Sequence, residues 1–371
     1  MLKQYKLKNY HFQLILYLAL LTVIGILVIG SAQESVQSKQ IVGFAAGMII
    51  MVIVSLIDYS FILRFRWLYY IGIIALLVMV KLFGKSSGGA QRWVEIAGIR
   101  FQPSELAKLV IILFFAAFFM KYNQKINSIR ILGSSFILVG ILLYMIFKQP
   151  DLSTTIVSAF IFIALLFIAG LSYKIVLSVL AISIPAFLVG ITILVQKGDE
   201  LAERYYQLRR IMAWLYPTDP KYADDALQQQ NAIMAIGSGQ LWGKGLNNSA
   251  ATSMKNTNYI IQPQTDFIFA VAGEELGFAG SLIICILLLL IVIECILIGR
   301  KAKDLAGQLI CCGMASLVGF QSFVNICVAT GLMPNTGIPL PFVSYGLTSL
   351  VSLYIGMGFV LNVGLQPKKY H

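Results

Sequence analysis

Apolar runs of about 20 residues, divided by short polar joints, repeat along almost the whole chain, and each is long enough to cross a bilayer as a helix. Ten spans are predicted, at 11–30, 40–57, 65–83, 104–120, 130–147, 153–170, 174–195, 266–298, 304–331 and 342–365. The expected fold is an all-α multi-pass membrane protein, with residues 1–371 forming a single integral membrane domain. Residues 196–265 break the rhythm as one large polar loop between spans seven and eight. Within it, Leu201, Tyr205, Leu208, Met212 and Leu215 recur at helical spacing ahead of Pro217, which predicts an amphipathic helix over 199–215 in the headgroup plane. Residues 84–103, where Gly and Ser give way to Arg92, Trp93 and Arg100, predict a short structured connection at the interface. The run from His11 to Gly30 is followed by no small-residue cleavage site and is expected to be retained as the first span.

Composition sharpens this picture. With 58% hydrophobic and 12% charged residues, the chain is too apolar for an ordinary soluble domain. The net charge of +12 is scattered through short loops and forms no stripe, so membrane lipids rather than nucleic acid are the expected surroundings. An even number of spans places both termini on one side. The loop set holding Lys3, Lys6, Lys8, Arg64, Arg66, Lys121, Lys125, Arg130, Lys174, Arg300, Lys301, Lys303, Lys368 and Lys369 has few acids beside them. That set is predicted to be cytoplasmic, with both termini inside and the 196–265 loop and Asp266 outside. The five cysteines fall in apolar runs without metal-ligand spacing and read as buried thiols, with no disulfide expected. His11 and His371, far apart at the two ends, argue against a histidine base or a zinc site.

Several acids and bases stand where hydrocarbon meets water, and such charges usually serve function. Asp266 joins the long outer loop to an apolar run; read as part of the first helical turn, it is either a cap or a carboxylate kept ionised by the helix dipole. On that helix Glu274 would lie about 80° round from it and Glu275 on the opposite face, each either lining a cavity or pairing with a base. Glu105 and Lys108 follow a Pro103–Ser104 helix start at a spacing that lets them pair, as a structural link or as the wall of a cavity facing Asp266. Asp151 adds an acid between spans five and six on the same side. The stretch Gly237–Gly245 resembles a phosphate loop but lacks its required glycine and hydroxyl, so it is read as a turn whose amides and Lys244 could cradle a pyrophosphate. Between Met333 and Gly346, Pro334, Pro339 and Pro341 forbid a regular helix, so irregular backbone is expected at the outer face.

Five blocks, in order, resemble the SEDS family of bacterial cell-wall polymerases, the RodA/FtsW/SpoVE group, and most closely its RodA-like members. They are Gln102–Lys108, Gln149–Leu152, Ala235–Gly239 with Gly243–Gly245, Thr265–Val271 with Glu274–Gly277, and Thr336–Phe342 with Ser344–Gly346. Asn231 and Ala232 depart from the group's frequent Gln-Ser, and Leu347 replaces a common second glycine. The resemblance implies a GT-C-like glycosyltransferase of the bacterial plasma membrane that polymerises lipid II into glycan strands at the outer face, with Asp266 matching the essential aspartate. It further implies undecaprenyl-pyrophosphate-linked glycan as co-substrate, a class B penicillin-binding transpeptidase as partner and a divalent metal, Mg or Mn, near the site. On this reading Asp266 is the base, Arg92, Arg209, Arg210 and Lys244 are candidates for the phosphates, and Glu105, Lys108, Asp151, Glu274 and Ser344 line the substrate site. The competing readings are a flippase for the same lipid and a non-catalytic scaffold for the transpeptidase.

Overall fold

The computed structural model describes residues 10–87, 90–96, 99–149, 151–179, 206–247 and 262–366, with isolated positions between 181 and 202. Its helices are α1 Phe12–Ala32, α2 Glu34–Ser55, α3 Tyr59–Arg64, α4 Arg66–Phe83, α5 Pro103–Lys121, α6 Ile129–Phe147 and α7 Leu152–Ile168. They continue as α8 Tyr206–Leu215, α9 Ala223–Ser238, α10 Ile268–Arg300, α11 Leu305–Ala329 and α12 Leu347–Leu365. Among the described residues eight are long and apolar enough to cross a membrane, and α7 is a shorter apolar helix of 17 residues. Half of the expected span at 174–195 lies outside the described residues, and 173–179 is helical. Of the expected amphipathic helix, residues 206–215 are described and form α8.

The helices sort by how much of their surface is enclosed by the others. α5 is the most enclosed of the described spans: 89% of its spanning window is buried, and its charged Glu105 and Lys108 are inside as well. The corresponding share is 22% for α4 and 28% for α2 and α6, which line the outside of the bundle. α5 therefore forms the axis against which α4, α7, α11 and α12 pack. α2 and α12 approach most closely through Gly43 and Gly47: a Cβ on Gly47 would stand 2.4 Å from the Tyr354 ring. Tyr354 reaches across to α1, its hydroxyl 2.8 Å from Thr22 Oγ1.

Three features depart from a plain helical bundle. Residues 84–103 build a three-stranded antiparallel sheet, β1 Lys85–Ser87, β2 Ala90–Ile96 and β3 Ile99–Phe101, in the order β1-β2-β3. The expected span 266–298 is two helical arms, because Gly277 (φ 69°, ψ −166°) breaks α10. Its backbone groups are satisfied from the Gly-rich stretch, which donates Lys244 N to Glu274 O and accepts Phe278 N on Gln240 O, at 2.9 and 2.8 Å. Third, the Pro-rich connection between α11 and α12 dips into the bundle. Gly25 lies seven residues before the end of α1, and a Cβ there would stand 2.8 Å from the Val343 backbone. At 1.5 Å per residue the loop reaches about 10 Å below the end of α1. Irregular backbone survives at that depth because protein surrounds it, and Leu340, Phe342 and Val343 are buried.

Candidate functional site

Two irregular segments meet at the N-terminal ends of α5, α7 and α10: the turn 263–267 and the loop 334–346. Ser344 ties them together, its Oγ donating to Thr265 O at 2.7 Å and accepting Leu340 N at 2.7 Å. Tyr345 N donates to Gln264 O at 2.9 Å. Asp266 occupies the turn and precedes α10, whose N-cap is Phe267 with no side-chain capping bond. The helix-cap reading is thus excluded, and so is the 80° placement of Glu274, which assumed a helix already begun at Asp266.

The Asp266 carboxylate has no hydrogen bond or ion pair among the described residues and keeps some exposed surface. Burial of the group raises its pKa above the ordinary carboxylate value, the guanidiniums of Arg210 and then Arg92 pull it down, and the charge of Asp151 raises it again. The net direction is upward. A Cβ on Gly337 would stand 3.3 Å from Asp266 Oδ2 and 3.7 Å from Arg210 Nη1, so carboxylate and guanidinium flank this glycine. Its φ of 70° disfavours any other residue as well. Arg210 also donates to Asn335 O at 3.3 Å, fixing α8 to the loop.

Around this centre the remaining charges are held in place. Asp151 caps α7, Oδ1 accepting Thr154 N at 3.2 Å while Oδ2 accepts Gln102 Nε2 at 3.1 Å and Ser104 Oγ at 3.2 Å. Arg92 on β2 approaches it, Nη1 to Oδ1 3.9 Å, and donates from Nε to Gln149 O at 3.3 Å. On α5, Lys108 Nζ lies 2.8 Å from Glu105 Oε1 and 2.8 Å from Gln321 Oε1, all three buried. Gln321 Nε2 in turn donates to Pro339 O at 2.8 Å. The Glu105–Lys108 pair therefore exists as the spacing predicts, and it reaches the Pro-rich loop through α11.

Other candidates lie elsewhere. Arg209 pairs with Asp225 on α9, Nε to Oδ2 2.5 Å, while its neighbour Arg210 turns to Asp266. Lys244 Nζ bonds Glu274 Oε1 at 2.8 Å, and Glu275 accepts from Ser31 Oγ of α1. Glu274 thus pairs within the splice between the Gly-rich stretch and α10 and Glu275 bonds α1, and no described contact joins either to Asp266. Gly239 and Gly243 serve close backbone approach: their Cβ atoms would stand 1.9 Å from Gly273 O and 2.1 Å from Glu275 O. The amides of Lys244 and Gly245 are spent on the carbonyls of Glu274 and Glu275 and cannot also cradle a phosphate. Gln321 and Asn325, one turn apart on α11, were not singled out from sequence. Their signal is two amides at helical spacing inside an apolar span.

A divalent metal needs several oxygen ligands. Among the described residues no three His, Cys, Asp or Glu side chains are arranged to hold one. Asp151 is committed to its cap and Glu105 Oε1 to Lys108, so the described residues do not by themselves form a metal cage.

A family model described as "Cell cycle protein", FTSW_RODA_SPOVE, matches residues 7–369. The chain is 33% identical over 361 residues to the peptidoglycan glycosyltransferase MrdB of Escherichia coli K12, covering 96% of this chain and 93% of that one. To the probable peptidoglycan glycosyltransferase FtsW of Bacillus subtilis 168 it is 31% identical over 379 residues, covering 98% and 92%. Among solved structures, one reported for the structural coordination of polymerization and crosslinking by a peptidoglycan synthase complex matches with a TM-score of 0.78 at 25% identity, over 96% and 97% of the two chains. The rod shape determining protein RodA of Thermus thermophilus matches with a TM-score of 0.68 at 25% identity, over 96% of each.

Proposed function

The chain belongs to the FtsW–RodA–SpoVE family of cell cycle proteins, and we propose that Asp266 is the general base with which it polymerises peptidoglycan. It is a multi-pass membrane protein and a peptidoglycan glycosyltransferase. The substrates assigned to it are lipid II as acceptor and a growing glycan on undecaprenyl pyrophosphate as donor.

The acceptor presents a sugar 4-hydroxyl, and the donor is linked through the anomeric carbon of muramic acid. Asp266 takes the hydroxyl proton, the hydroxyl oxygen bonds to the anomeric carbon with inversion, and the bond to the pyrophosphate oxygen breaks. Arg210 and Arg92 meet the charge that develops on the departing pyrophosphate, for which the planar guanidinium is well shaped. An aspartate whose proton affinity is raised by burial is a stronger base than an exposed one, and Arg210 and Arg92 act against that rise. Glu105, Lys108, Asp151 and Ser344 hold the walls. One observation carries the assignment: a carboxylate outside any helix, without a hydrogen-bond partner among the described residues, in the field of two arginines and beside a loop that side chains have tied down.

The lipid tails have a place to lie. An almost wholly apolar cavity of about 600 Å³ runs between α2, α5 and α12, lined by Val42, Gly43, Phe101, Leu106, Leu347 and Val351 among others. Its lining includes Leu106, next in sequence to Glu105, and Phe101, next to the Gln102 that bonds Asp151, which supports a tail held beside the charged site.

The site is assigned to the outer face and both termini to the cytoplasm. Arg64, Arg66, Lys121, Lys125, Arg130, Arg300, Lys301 and Lys303 support this, since they gather at the helix ends opposite Asp266. A crosslinking partner, a class B penicillin-binding transpeptidase, is assigned because the matched synthase complex couples polymerization to crosslinking. The test is incubation of purified protein with lipid II, reading glycan chains by gel. Asp266→Asn is expected to make none while remaining folded; glycan chains of ordinary length from that variant would overturn the assignment.

A further inference from the structure

Among the described residues, Asn325 alone holds the backbone of residue 266 with a side chain. It lies on α11, only 1% exposed, and its Nδ2 donates to Asp266 O at 2.8 Å and to Ile338 O at 2.6 Å. One nitrogen thereby joins the turn that carries the aspartate to the loop that carries Gly337. Neither segment is helix or strand, and one backbone bond, Tyr345 N to Gln264 O, joins them, so side-chain links do most of the work of fixing their separation. One turn earlier, Gln321 takes the next carbonyl of the loop, Pro339 O, and passes the link to Lys108. The grip has a cost. Asn325 Oδ1 is buried with no hydrogen-bond partner, an arrangement that packing alone would not favour.

We infer that Asn325 is a positioning residue for glycan polymerisation, setting the place of the Asp266 carboxylate relative to Gly337 and Arg210. The inference rests on Asp266 being the base. Asparagine suits the task because it supplies two N–H donors from one short side chain. An ionised aspartate supplies none, and glutamine is one methylene too long to reach both carbonyls from the same point on the helix. A displacement on the order of 1 Å at a reacting group is enough to cost up to about a hundredfold in rate. The charges facing Asp266 from the elements packed against it are Arg210 on α8, Arg92 on β2 and Asp151 at the head of α7. A shifted carboxylate would feel all three differently.

The experiment compares full-length wild type, Asn325→Asp, Asn325→Gln and Asp266→Asn on lipid II, with rates normalised to the folded, monodisperse fraction. For Asn325→Asp, kcat is expected to fall at least about tenfold with KM within about twofold, and the acid limb of the pH–rate profile to move. Asn325→Gln, which keeps its donors, is expected to recover part of kcat. Wild-type kcat and pH profile with only a lowered melting temperature would overturn the inference, and so would a raised KM at unchanged kcat. If Asn325→Asp yields no folded protein, Asn325→Gln decides: wild-type kcat overturns the inference, and a lowered kcat at unchanged KM with a moved acid limb supports it. The premise fails separately: turnover by Asp266→Asn removes the base assignment whatever the Asn325 variants do.

Discussion

Two polar clusters sit at opposite ends of the same helices, and they are finished to different degrees. At the far end, Tyr59 donates from its hydroxyl to Asp304 Oδ1 and from its amide to Asn362 Oδ1, both at 2.9 Å. Asn362 Nδ2 reaches Ser55 O at 2.7 Å, while Lys303 bonds Ser60 at 3.1 Å and stands 4.7 Å above the Tyr59 ring. Every one of these side chains has a partner, and none of their buried polar atoms is orphaned. Around Asp266 the inventory stays open: Glu105 Oε2, Asn325 Oδ1 and Thr336 Oγ1 are buried without partners. A completed network holds helices together. An incomplete one, kept rigid by its neighbours, has capacity left for a ligand.

The comparison breaks first at Asp266. Replacing it with asparagine should cost about 10²–10⁴ in polymerisation rate while the thermal midpoint barely moves; a large drop in midpoint would make the outer cluster as structural as the far one. Lys108→Met should strip the partner from the Glu105 carboxylate and destabilise the protein by about 3–5 kcal/mol, lowering both yield and turnover. Glu105→Gln with Lys108→Met should recover much of the stability in thermal unfolding. At the far end, Tyr59→Phe should cost about 1–3 kcal/mol by removing the hydroxyl's hydrogen bond to the part-buried Asp304 carboxylate, whose Oδ1 keeps Gly307 N at 2.8 Å, with turnover per folded molecule unchanged.

Finer effects follow the charges. Arg210 lowers the proton affinity of Asp266, so Arg210→Met should raise it further. The base is lost by protonation, so the acid limb of the pH–rate profile should then move to higher pH, the opposite shift contradicting the assigned geometry. Arg209, turned to Asp225, offers the smallest effect: Arg209→Ala should leave the rate within about twofold.

Most of the fold was legible because hydrocarbon imposes its own length on a chain. Runs near 20 apolar residues foretold nine described helices, and the Glu105–Lys108 spacing foretold their pair. What stayed hidden depends on backbone conformation and on distant contacts. Gly277 reads as an ordinary residue of an apolar run until its positive φ breaks α10. The sheet at 85–101 was visible only as composition, since strands this short carry too few alternations to declare a period. Arg209 and Arg210 are indistinguishable in sequence, and only the rotation of α8 sends one to Asp225 and the other to Asp266. Asn325 is silent in the sequence because an amide in a span carries no charge to mark it.

The Gly-rich stretch that looks like a nucleotide loop has its own consequence. Its amides from 244 and 245 and its carbonyls at 240 and 241 bridge the gap that Gly277 opens in α10. Peptide groups do not titrate and are little affected by salt. Apart from the Lys244–Glu274 ion pair beside them, these bonds carry no charge to lose, so the arm rising from Asp266 should keep most of its footing as the aspartate changes state, leaving proton uptake at the site with little competing loss of shape.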